Sequence, residues 1–78
     1  MSKLDKLIQK LLRDPSELSY NDVYYILTQF GFQEISNKGS HHTFRNEQKL
    51  KITIPKQGGQ TVKRTYLKQI VKLLELDK

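Results

Sequence analysis

The chain has 78 residues, 14 of them lysine or arginine against 8 aspartate or glutamate, for a formal charge of +6 and a pI near 9.7. That length supports one domain with one small core and leaves no room for a separate cofactor domain. Cysteine is absent, which excludes thiol catalysis, zinc–thiolate sites and disulfide staples, and the basic excess favours an acidic partner, nucleic acid before protein or membrane.

Leu4, Leu7, Ile8, Leu11 and Leu12 recur at helical spacing, and Ser2 with Asp5 forms a capping pair, so a helix is predicted over Ser2 to Arg13. Asp14-Pro15 ends it, because proline disfavours helical geometry in the residue before it. A second helix starts at Ser19, with Asp22 three residues on and Val23, Ile26, Leu27 and Phe30 as its apolar face. Gly31 closes this helix, and Phe32 folds back onto its last turn.

From Phe32 the period becomes two. Strands are predicted over Phe32 to Ser36, His42 to Arg45 and Leu50 to Ile54, joined by Asn37-Lys38-Gly39 and by Asn46-Glu47-Gln48. In the third, Leu50, Ile52 and Ile54 alternate with Lys49, Lys51 and Thr53, so one face is buried and the other wet. Pro55 stops it, Gly58-Gly59 makes a loop, and a last helix begins between Thr61 and Lys63, with Leu67, Ile70, Val71 and Leu74 inward. This order predicts an α+β, two-layer domain with helices on one face of a three-stranded antiparallel sheet, the order of the double-stranded-RNA-binding fold plus an extra amino-terminal helix. The domain covers 1–78, with the extra helix in 1–14 and the core in 19–76. The apolar runs fall short of the roughly 18 residues a bilayer span needs, and the charged start is unlike a secretory signal, so a cytoplasmic location and no membrane contact are expected.

Gly39-Ser40-His41-His42-Thr43-Phe44 places both histidines of the chain just after a glycine turn. Gly39 allows a tight turn, and Ser40 offers a hydroxyl or amide to a phosphate oxygen. Imidazole titrates near neutrality, so a histidine here can take a proton from a ribose 2′-hydroxyl and return one to the leaving oxygen. Strict alternation turns His42 toward the helices with Phe44 and His41 toward solvent. Each histidine also has an ordinary structural role open to it, His42 at the core margin and His41 on the surface. Adjacent strand residues point to opposite faces, so His41 and His42 cannot readily share a metal ion, and Glu34 and Glu47 lack ligand spacing; no metal or other cofactor is expected.

Arg64, Lys68 and Lys72 form a basic stripe on the last helix, and Lys56 and Lys63 stand at its entrance, where free amides already favour anions. The expected phosphate contacts are Lys38, Ser40, Lys56, Lys63, Arg64 and Lys68. Tyr20, Tyr24, Tyr25 and Tyr66 are able to stack on bases, but Tyr24 and Tyr25 suit core or partner contacts better.

Gly39-Ser40-His41-His42-Thr43-Phe44-Arg45, then Ile52-Thr53-Ile54-Pro55, then Lys63-Arg64-Thr65-Tyr66-Leu67-Lys68-Gln69-Ile70 together resemble the HicA toxin family from about Asp22 to Leu74. The resemblance implies a small ribonuclease, an mRNA interferase, on a double-stranded-RNA-binding-like fold and neutralised by a HicB antitoxin. It also implies that His42, in the histidine position of the glycine-serine-x-histidine pattern, is catalytic, that His41 is the variable residue, and that a bulge or the open sheet margin exposes His42 against strict alternation. Lys56-Gln57 follows the strand-ending proline where many relatives carry a histidine, and Lys63-Arg64 stands where many have a glycine. The resulting expectation is a toxin that cleaves mRNA without metal by histidine acid/base catalysis. A non-catalytic RNA-binding module on the same fold is the alternative, and a basic adaptor for an acidic protein is a third.

Overall fold

The computed structural model describes residues 2–55 and 60–77. Along the chain run α1 (Lys3–Leu12), β1 (Glu17–Ser19), α2 (Tyr20–Gln29), β2 (Gln33–Lys38), β3 (His41–Arg45), β4 (Lys51–Pro55), β5 (Thr61–Lys63) and α3 (Arg64–Leu73). β2, β3 and β4 form a three-stranded antiparallel meander, while β1 and β5 pair antiparallel as a separate ribbon. The α+β class, the three-stranded sheet and the additional amino-terminal helix are as the sequence predicts, and the arrangement is consistent with the double-stranded-RNA-binding-like fold.

Helix ends follow the sequence signals. The Ser2 and Ser19 hydroxyls accept the backbone N–H of Asp5 and Asp22 at 3.1 and 3.2 Å, satisfying donors that a first turn leaves open. Past α2, Gly31 takes φ +88° and the amides of Gly31 and Phe32 return to Thr28 and Leu27, which folds Phe32 into the core. The α3 end repeats this geometry with Glu75 at φ +56°, while α1 closes through Asp14 alone, because Pro15 has no N–H to give.

The ribbon is the main departure from the sequence reading. Thr61, Val62 and Lys63, expected at the start of the last helix, instead pair with Ser19, Leu18 and Glu17, and the helix begins at Arg64. Burying Leu18 and Val62 against each other favours this pairing over another helical turn. Three smaller corrections concern exposure and bounds. Phe30 and Leu12 end their helices exposed, Leu50 lies outside β4 and exposed, and Lys38 belongs to β2 instead of the turn.

One apolar cluster joins every element except β2. Leu7 and Leu11 of α1, Val23, Ile26 and Leu27 of α2, Phe44, Ile52 and Ile54 of the sheet, Leu18 and Val62 of the ribbon, and Leu67 and Ile70 of α3 are buried together. α2 meets the sheet through Tyr20 and Tyr24, whose rings lie 6.5 and 5.8 Å from that of Phe44. α3 packs on the ribbon and on α1. Among the described residues no helix is long and apolar enough to cross a membrane.

Candidate active site

The β2–β3 connection is a two-residue turn, Gly39-Ser40, between the paired residues Lys38 and His41. Gly39 has φ +60°, the sign that short hairpin turns require to match strand twist. With the hairpin set there, β3 alternates without interruption: His41 is exposed on the outer face opposite Lys38, and His42 and Phe44 point inward. The bulge lies in β2, at Ile35, and not in β3, so His42 stays 7% exposed on the helix side. Glu34 sits opposite Phe44 before the bulge, and Asn37 sits opposite His42 after it. Glu34 and His42 are therefore diagonal neighbours on the inner face.

That placement builds a compact polar group at the margin of the core. His42 Nδ1 lies 2.9 Å from Glu34 Oε2, and the Tyr20 hydroxyl donates to the same oxygen at 2.6 Å. The Tyr20 ring stands 4.7 Å from the His42 ring, and Tyr24 stands 6.2 Å from Tyr20. Burial foremost, then the hydrogen bond to Glu34 and its negative charge, push the Tyr20 hydroxyl well above the usual tyrosine range. Nε2 of His42 has no hydrogen-bond partner among the described residues. Glu34 also lines a groove along α2 and the β2 edge with Tyr24, Thr28, Gly31, Phe32 and Gln33. An imidazole held at one nitrogen and unengaged at the other has the form of a general acid/base.

The other expected site residues are scattered. Ser40 is exposed at the turn and Lys38 on the outer face, both within a few residues of His42. Lys63 on β5 pairs with Glu17 at 3.5 Å, and Arg64 at the start of α3 pairs with Asp14 at 3.5 Å. Lys68 lines a groove of about 250 Å³ between α1 and α3, beside Leu11, Leu12, Val71 and Lys72. None of these three cations contacts His42. Lys56 lies outside the described residues. No group of three or more histidine, aspartate or glutamate side chains suited to a metal occurs among the described residues.

Sequence reasoning missed Glu34 and Tyr20 as neighbours of His42. A signal for Glu34 existed: it shares the inward parity of Phe32, so it is a carboxylate aimed at a core, and such a group needs a partner.

This is a small α+β domain on a basic chain, with one buried histidine beside a glycine turn. The family model described as the HicA toxin of bacterial toxin–antitoxin matches residues 20–76, and the chain belongs to that family. Its role is that of a toxin, and membership implies pairing with an antitoxin. No match was found among curated proteins or among solved structures.

Proposed function

We propose that the protein is an endoribonuclease that cleaves mRNA without a metal, using His42 as the general acid/base. The observation that supports the reading is His42 itself: it stands at the histidine of the glycine-serine-x-histidine pattern by which the sequence resembles the family, and its ring is held at Nδ1 while Nε2 makes no hydrogen bond within the described residues. A base there takes the proton of a 2′-hydroxyl, whose oxygen attacks the adjacent phosphorus; the P–O5′ bond breaks and the departing oxygen receives a proton. Together these transfers need only one imidazole and its conjugate acid, and such catalysis contributes roughly 10² to 10⁴ in rate.

In this reading Lys38 and Ser40 meet the RNA backbone beside the histidine, and Lys56, Lys63, Arg64 and Lys68 contact phosphates further along. The Lys63 and Arg64 ion pairs do not oppose this, because half-exposed pairs are weak and phosphate can replace the carboxylate. The partner is a HicB-like antitoxin whose acidic surface covers the site, acting with the toxin in the cytoplasm. The purified full chain, incubated with a bulk messenger in chelator, should yield discrete fragments. A gel shift with intact RNA would favour the alternative, a non-catalytic RNA-binding module, and neither shift nor cleavage would leave the basic face to a protein partner.

A further inference from the structure

We propose that Glu34 and Tyr20 are positioning residues for His42: together they keep the ring proton on Nδ1 and leave the lone pair on Nε2. The inference rests on His42 being the acid/base group, but it concerns the resting protein and is testable without RNA.

Among the described residues, Glu34 Oε2 meets the Tyr20 hydroxyl at 2.6 Å and His42 Nδ1 at 2.9 Å. A phenol held above its usual titration range keeps its proton and must donate. An ionised carboxylate only accepts, so the hydrogen in its contact with His42 comes from the ring. Nδ1 must then carry the proton, since two bare acceptors 2.9 Å apart would repel. Only Nε2 is left with a lone pair in the neutral ring, which is the nitrogen that has no partner among the described residues.

Tyr20 holds the acceptor in place: its hydroxyl donates to the same Oε2, which keeps that oxygen beside Nδ1. Among the described residues, the groups beside His42 are Glu34 from β2 and Tyr20 from α2, with Tyr24 behind it, and β4 presents Ile54. Glu34→Gln keeps the shape of the side chain but brings an amide that can donate as well as accept, so the ring is no longer held to one tautomer. A merely loosened structure would not change which ring nitrogen carries the proton.

Two-bond proton–nitrogen correlation spectra of the ¹⁵N-labelled full chain, recorded at alkaline pH, read the tautomer of the neutral ring, with exposed His41 as the reference in the same sample. The expected result is His42 protonated at Nδ1 in the wild type and partly protonated at Nε2 in Glu34→Gln. A wild-type ring protonated at Nε2 overturns the proposal and needs no variant to fold; so does a Glu34→Gln ring that stays wholly on Nδ1. Loss of this result would leave His42 catalytic by another arrangement, whereas a His42→Ala chain that still cleaves RNA would end the catalytic reading and leave the tautomer result standing.

Discussion

If the start of α3 holds RNA, the acids now paired with it compete with phosphate, and removing them should tighten binding in a salt-dependent way. Lys63 Nζ and Arg64 Nε each lie 3.5 Å from a carboxylate oxygen, of Glu17 and Asp14, with all four side chains about half exposed. In a water-like dielectric each attraction is about 1 kcal/mol, and salt reduces it further. Asp14→Asn with Glu17→Gln frees both cations at little cost in stability, since exposed pairs contribute about 1 kcal/mol or less and asparagine accepts the φ of +56° at position 14. Relief of about 1 kcal/mol of competition at each cation should tighten binding by up to about 30-fold at low salt, and the gain should shrink as salt screens the carboxylates. Anisotropy of a labelled single-stranded RNA, in a His42→Ala background that spares the probe, measures this. An unchanged low-salt affinity, or an equal gain in the exposed control Glu47→Gln, would remove the start of α3 from the RNA path.

Two further outcomes follow from the packing around the site. Tyr20 keeps its proton in the folded chain beyond the point, about pH 10, where an unfolded tyrosine loses it, so its contribution to stability is complete below that pH and declines as pH rises above it; Tyr20→Phe should flatten the alkaline loss in urea melts, and an unaltered slope would mean that Tyr20 is not the group responsible. Phe44 is fully buried beneath Tyr20 and Tyr24, so Phe44→Ala should cost about 3–5 kcal/mol against a total of about 4–12 for a chain this long, with Phe44→Leu costing far less; an alanine cost under about 1 kcal/mol in denaturant melts would contradict the packing.

Local signals in the sequence located most of the fold. Ser2, Ser19 and Gly31 mark helix ends with their own hydroxyls or backbone freedom, and the alternation of His42 with Phe44 and of Ile52 with Ile54 fixes which strand face is buried. The β1–β5 ribbon was hidden because three residues are too few to show a period, and because Leu18 and Val62, more than forty residues apart, acquire meaning only through each other. His42 was legible from the glycine turn and the family pattern. Its neighbours were less so, because Tyr20 reaches it from another element and the bulge at Ile35 breaks the simple parity that would have aligned β2 with β3.

Single-turnover cleavage of one RNA by wild type, His42→Ala and His41→Ala in chelator, with thermal melts of all three, tests the role of His42 most directly. His42→Ala should lose about 10² to 10⁴ in rate while still melting cooperatively and binding RNA, and His41→Ala, altered only on the exposed outer face, should lose far less. Equal losses in the two variants, or a fully active His42→Ala, would contradict that role.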